Sequence, residues 1–331
     1  MTGKTREMIN LENFNIMLKY NNLFIILGVV LLLFSCSKMT QGENLEEKSD
    51  SDIVKTVSFV VPSFVDGDIG LTKTQLGSDG VSFYWSPNDT VGIYPSSGSQ
   101  VYFVVEGGEP AKYATFDGGG WSFKLNAEYY SYYPFIGNMY LNREHIPVSY
   151  VGQKQIGTTS TSHIGPFDFM YTAATSSSSG SLQFEYSHLS ALINVKATLP
   201  AGTYTKLAIT APSDAFTTTG YFSLLSSSPA IVATEHSNQI VIDLESITLS
   251  AQTMFNVYLL CAPVDLQGVE ITVSALNSQR KEYQCKKTPS KAYLAGKRYG
   301  LSCDSFTEVP QSMGLIIDDW GDGGDIGGDA D

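Results

Sequence analysis

The sequence predicts an all-β protein built as two tandem antiparallel β-sandwich domains. Three observations carry that expectation. The 331 residues include 19 Tyr and 17 Phe, with many Thr and Val, a composition that suits half-buried strands. Apolar residues recur at every second position in short runs separated by clusters of Gly, Pro, Asn, Asp and Ser. No stretch beyond Cys36 sustains a helical period over three turns.

The chain opens on a different pattern. Leu23 to Phe34 is continuously apolar, preceded by Lys19 and closed by Ser35 and Cys36. The run is shorter than the ~20 residues that span a bilayer, and it has the length of the apolar core of a secretory signal. Leu33-Phe34-Ser35-Cys36 looks like a bacterial lipobox, in which residues 1–35 are removed and Cys36 carries the lipid. A plain signal peptide with an incidental cysteine is the other reading. Met17-Leu18-Lys19-Tyr20 supplies a short positive start directly before the apolar run, so Met17 is the expected initiator. Residues 36–55, rich in Glu, Ser and Asp and without periodicity, are expected to be a flexible tether.

From Thr56 alternation begins. Val57, Phe59 and Val61 share one face of a leading strand that continues to Val65 and stops at Asp66-Gly67-Asp68. Beyond a polar connection with Thr72-Lys73-Thr74 come Val81-Phe83-Trp85, Val91 to Tyr94, Val101 to Val105, Ala114-Phe116 and Trp121-Phe123-Leu125. Tyr129 to Tyr133 closes this series, with Tyr129 and Tyr133 on one face and Tyr130 and Tyr132 on the other. Residues 137 to 172 show no pattern and are expected to be irregular, and the low-complexity Ser176 to Gly180 marks a domain boundary. The first sandwich is thus assigned to residues 56–178 and the second to 179–304. In the second half the strand pattern returns at Leu182 to Tyr186, Leu192 to Leu199, Leu207 to Ile209, Gly220 to Leu225, Ile240 to Leu244, Met254 to Leu260, Val269 to Ala275 and Tyr299-Leu301. Met313 to Trp320, with Leu315 and Ile317 between, is a last strand candidate within a terminal segment 305–331 that ends in Gly and Asp.

Charge and chemistry exclude more than they assign. A formal net charge of −13 argues against a nucleic-acid partner, which needs a basic surface. Residues 305–331 hold acids and no base, whereas Arg280 to Arg298 is strongly basic, so the acidic end could meet the basic segment of a neighbouring copy. The four histidines (His145, His163, His188 and His236) have no metal-ligand spacing, and neither a nucleophile elbow nor a phosphate loop occurs. Asp322-Gly323-Gly324-Asp325 is too short and unrepeated for a calcium loop. No metal or other cofactor is expected, and no enzyme. Beside Cys36, Cys261, Cys285 and Cys303 lack CxxC spacing and are expected to be buried free thiols.

Taken in order, these parts resemble the fimbrillin family of Bacteroidetes, the subunits and tips of lipoprotein-derived pili. The resemblance rests on the lipobox at Cys36, the leading strand Val57 to Val65, Thr72-Lys73-Thr74, Phe83-Tyr84-Trp85 and Asp89-Thr90-Val91-Gly92-Ile93-Tyr94. It continues through Tyr129 to Pro134, His188-Leu189-Ser190-Ala191-Leu192, Leu294 to Tyr299 and Ile317 to Trp320. It implies transthyretin-like sandwiches, lipid anchoring to the outer membrane and assembly with other pilus subunits. In polymerising members a protease cuts behind the first strand, and the C-terminal strand of the next subunit fills the opened groove. On this chain the removable strand is Thr56 to Val65 and the donor lies within Met313 to Trp320. The cut site is expected at Lys73, with Lys55 second, because the family's usual arginine is missing: no Arg lies between Arg6 and Arg143. An uncut chain that stays anchored, as pilus-base members do, is the other outcome. The alternative function is a surface lipoprotein that stacks glycans on Trp121, Tyr130 or Tyr132.

Overall fold

The computed structural model describes residues 53–62, 65–66, 84–107, 114–137, 141–176 and 180–310. Alternation in the sequence becomes strand after strand. In order these are β1 (Thr56–Val60), β2 (Val65–Asp66), β3 (Thr90–Pro95), β4 (Val101–Val105), β5 (Phe116–Asp117), β6 (Glu128–Tyr133) and β7 (Ile146–Ser149). They continue with β8 (Gln153–Ile156), β9 (Met170–Thr175), β10 (Ser181–Glu185), β11 (Ser187–His188), β12 (Ala191–Leu199), β13 (Gly202–Thr210) and β14 (Phe216–Phe222). The rest are β15 (Val232–Ser237), β16 (Gln239–Leu249), β17 (Thr253–Cys261), β18 (Ile271–Asn277), β19 (Glu282–Lys287), β20 (Lys297–Cys303) and β21 (Thr307–Glu308). Among the described residues one short 3-10 turn, Gly165–Phe167, interrupts the strands. The protein is all-β, with the antiparallel sheets of a β-sandwich fold.

The first half is built on a six-stranded sheet in the order β11-β9-β6-β3-β4-β5. Its core gathers Trp85, Ile93, Phe103, Tyr129, Ile146, Phe184 and their neighbours. The second half faces a four-stranded sheet, β17-β12-β20-β2, across a six-stranded one, β21-β19-β18-β13-β16-β8. Between them lie Ile193, Val195, Ile209, Ile242, Val257, Val273 and Leu301. β12 belongs to both cores: Leu192 is buried in the first and Ile193, Val195 and Ala197 in the second. That is why its burial is nearly continuous where a half-exposed strand would alternate.

Antiparallel pairing dominates, and β12 with β20, β16 with β8, β1 with β10 and β2 with β20 pair in parallel. The stretch 137 to 172, expected to be irregular, contains β7, β8 and the start of β9. β7 pairs with β14, and β8 pairs with β16, so this segment is stitched into sheets of the second half. β8 escapes a hydropathy reading because its inward positions are glutamines: Gln153 and Gln155 are 1% and 0% exposed. Trp121 to Leu125, expected as a strand, forms only an isolated bridge between Ile53 and Lys124.

Candidate functional site

The leading segment has the geometry of an inserted strand. β1 pairs in parallel with β10, setting Val57 opposite Leu182 and Phe59 opposite Phe184. The pairing is extended at both ends, where the Lys55 and Thr56 amides donate to Gly180 O at 2.7 and 3.2 Å and the Tyr186 amide donates to Val60 O at 3.2 Å. Alternation then drives every second side chain inward. Val54, Phe59 and Val61 are buried, and Val57 is half-buried. The Phe59 ring stacks on Phe184 at 5.2 Å and lies 4.2 Å from Phe116, and Trp85 Nε1 donates to its carbonyl at 3.3 Å. Beside β1 lies a cavity of ≈ 330 Å³ lined by Val57, Phe59, Phe103, Phe116, Trp121 and Phe123. Five residues past β1, β2 pairs Val65 with Lys297 and Asp66 with Arg298 on the outer side of β20. One segment thus enters the first core and then lies against a sheet of the second half.

Of the residues singled out in the sequence, Lys55, Val57, Phe59 and Val61 meet here. Lys55 is exposed and precedes β1, so a cut after it would leave β1 attached to the fold. Cys36, Lys73, Met313, Leu315, Ile317 and Trp320 lie outside the described residues.

The aromatic candidates for glycan stacking are taken up differently. Tyr132 is 1% exposed, with its hydroxyl donating to Gln100 Oε1 at 2.8 Å. The ring lies over Gly92, where an added Cβ would come within 2.2 Å of it, so the glycine of Asp89 to Tyr94 exists to admit this tyrosine. Burial pushes the Tyr132 phenol up to about 12. Trp121 packs edge-on against Phe103, Phe123 and Tyr129 at the margin of the core. Tyr130 remains half-buried, with the Arg143 guanidinium 5.6 Å above its ring. The face shared by Tyr130 and Tyr132 is therefore not left at the surface throughout: Tyr132 joins the first core, seated against Gly92 and stacked on Tyr94, whereas Tyr130 is half-buried.

The other short motifs have structural work. Asp89 accepts from the Ser86 amide at 2.7 Å and from the Tyr133 hydroxyl at 2.8 Å, pinning the turn before β3 to the end of β6. Burial raises its carboxyl above the usual range. His188 Nδ1 meets Asp168 Oδ1 at 2.8 Å with both side chains buried, and desolvation raises Asp168 despite that partner. Ser190 Oγ hydrogen-bonds Tyr150 Oη at 2.9 Å and donates to Phe167 O at 3.1 Å, and its carbonyl accepts from the Gly296 amide at 2.9 Å. The His188-to-Leu192 and Leu294-to-Tyr299 motifs are thereby joined. In the basic segment, Lys281 pairs with Glu308 and Lys286 with Glu270. These two cations already have partners within the chain.

The sequence reading missed an edge seal at β17. Gln153 Nε2 donates to Leu260 O and its Oε1 accepts from the Leu260 amide, both at 2.8 Å. Gln155 repeats this one step along, to Asn256 O at 2.8 Å and from the Tyr258 amide at 3.0 Å. His163 Nε2 completes the row on Tyr258 O at 2.9 Å. Two amide side chains and an imidazole thus satisfy the edge that a neighbouring strand would otherwise pair. The only sequence signal was the Gln-x-Gln spacing, which places both amides on one face of a strand.

A family model described as fimbrillin-like matches residues 78–320, most of the chain. The chain belongs to the fimbrillin-like family. Fimbrillin-like proteins are structural and adhesive components of cell-surface appendages rather than enzymes, and this chain is a pilus or adhesion component. Solved structures similar to this fimbrillin-like chain include a protein assigned to cell adhesion from Bacteroides ovatus, 15% identical, with 78% of this chain and 96% of that one covered and a TM-score of 0.49. The tip fimbrial protein Mfa3 from Porphyromonas gingivalis is 9% identical over 76% of this chain and 97% of its own, with a TM-score of 0.38. A fimbrial assembly protein from Parabacteroides distasonis is 10% identical over 77% and 97%, with a TM-score of 0.36. No curated protein matches significantly.

Proposed function

We propose that this fimbrillin-like chain assembles by strand exchange, with the segment Thr56 to Val65 holding a groove that the C-terminal strand of a neighbouring subunit later occupies. The placement of β1 carries this reading. Phe59 and, just past the strand, Val61 are core residues and Val57 packs against them, yet among the described residues the β1 backbone pairs with one strand, β10, so removing it would expose an apolar slot and an unpaired ladder together. Alternating Met313, Leu315 and Ile317 have the spacing to refill such a slot. Cys36 is the lipid anchor that delivers the chain to the outer membrane, and the cut that frees β1 falls at Lys73, downstream of both β1 and β2. The two tandem domains meet near Ser176 to Gly180, with β7 and β8 reaching from the first segment into sheets of the second.

The test uses the full chain with a site-specific protease sequence inserted after Lys73. Cleavage is expected to release the leading segment and to produce a ladder of oligomers that resists mild detergent. The same protein ending at Pro310 should be cut and yet remain monomeric. A cleaved full-length chain that keeps its leading segment and stays monomeric would overturn the proposal. Mass spectrometry of the natural mature N-terminus decides where cutting occurs: a terminus after Lys73 fits a polymerising subunit, and an intact lipidated Cys36 fits an anchored pilus base.

A further inference from the structure

Three buried thiols remain in the folded chain, Cys261, Cys285 and Cys303, and the fold does not treat them alike. Cys285 lies on β19, paired with Val273 in the six-stranded sheet of the second half. Cys303 is the last residue of β20, paired with Ala197 in the facing sheet. Immediately after Cys303 the chain crosses between the sheets, and Thr307 then pairs with Gln284, the neighbour of Cys285. The corner made by residues 304–306 therefore brings the end of β20 onto β19. Both side chains are buried in the same core, and after burial it is the Cys285 thiol that pushes Cys303 up. Cys261 sits in that core at the end of β17, paired with Ala191, away from the 304–306 corner in sequence.

We propose that Cys285 and Cys303 form a disulfide in the exported protein, tying the two sheets of the second sandwich together at the corner that leads to the C-terminal strand. Cys261 stays reduced. Three thiols allow three pairings, and the topology selects this one.

The step is a thiol–disulfide exchange with a disulfide donor of the oxidising compartment outside the cytoplasm. The thiolate of one cysteine attacks a donor sulfur, forming a mixed disulfide and releasing one donor thiol. The second thiolate then attacks the bonded cysteine sulfur, closing Cys285 to Cys303 and releasing the other donor thiol. Two electrons pass to the donor, and the two protons lost by the cysteines end on its sulfurs. Burial raises the Cys303 thiol above its ordinary range, and both side chains are shut away from an external donor in the folded chain. Closure therefore belongs to the newly exported chain, before the corner is packed.

The proposal is tested on full-length protein recovered from the surface fraction of the cells that make it, quenched in acid. Free thiols are alkylated with N-ethylmaleimide in denaturant, and the chain is digested without reductant. The expected result is a linked peptide pair containing Cys285 and Cys303, two hydrogens lighter than the sum of its parts, with the alkyl group on Cys261. Alkylation of all three cysteines, or a link that includes Cys261, would overturn it. Cys303→Ser serves as the second arm: the linked pair should vanish and Cys285 become alkylated, and a Cys285 that stays protected in this variant also counts against the assignment. Protein made in the reducing cytoplasm should show all three thiols and melt roughly 5–10 °C lower.

Discussion

At β1 the backbone pairs with one strand, β10, and the side chains do the holding, with Phe59 and Val61 sunk in the first core. At the outer edge of β17 the arrangement is reversed. There the buried Gln153 and Gln155 and the half-buried His163 spend polar side chains on backbone groups, and no strand could be added without expelling them. Apolar side chains in a slot can be replaced by another set with the same alternation, because dispersion and burial are not directional. A row of matched hydrogen bonds is specific to its own donors and acceptors. The contrast separates a strand held by the packing of its side chains from an edge held by directed hydrogen bonds.

The largest effect should come from emptying the slot. Phe59→Ala removes a ring that packs on Phe184 and Phe116 and is expected to cost about 3–5 kcal/mol. Trp85 and Trp121 border the same core, so urea unfolding followed by tryptophan fluorescence should show the loss. A midpoint unchanged in this variant would mean that β1 is not part of the core it fills.

Breaking the seal should cost less but act at a defined place. Gln153→Leu keeps the volume and strands the Leu260 amide and carbonyl, for a loss of about 1–3 kcal/mol. Hydrogen exchange at the Leu260 amide should quicken while amides of β3 and β6 are unaffected. An unprotected β17 edge should also raise aggregation.

The seal should carry a pH signature. His163 Nε2 hydrogen-bonds Tyr258 O, Nδ1 is buried without a partner, and desolvation lowers the imidazole below its ordinary 6.5. The unfolded chain then takes up a proton before the folded one does. This contribution is complete above pH 6.5 and is lost as pH falls from 6.5 through the lowered folded value. Thermal melting compared at pH 7.5 and pH 5.5 should drop more in the native chain than in His163→Gln, whose neutral amide can still donate to Tyr258 O.

The smallest effect tests whether the seal is one-sided. Lys154 lies on β8 between the two glutamines, on the opposite face, and forms an exposed ion pair with Glu245. Lys154→Ala should leave the melting temperature unchanged within error. A clear loss would show that β8 is held by its outer face as well.

Sequence alone determined the class of fold and most strands whose inward residues are apolar, among them β3, β4, β6, β12, β13, β16 and β17. Alternation is a local property, written wherever a sheet has one wet and one dry face. It also singled out Val57, Phe59 and Val61 as one face, and the order of short motifs pointed to the fimbrillin-like family. Tertiary structure decided what local pattern cannot hold. β8 pairs with β16 and turns its glutamines onto the backbone of β17, in each case about a hundred residues away in sequence, and Tyr132 is accommodated because Gly92 stands opposite. Cys285 and Cys303, unremarkable by spacing, meet because the chain turns a corner between sheets. In each case the partner is remote along the chain, and only the fold brings it within reach.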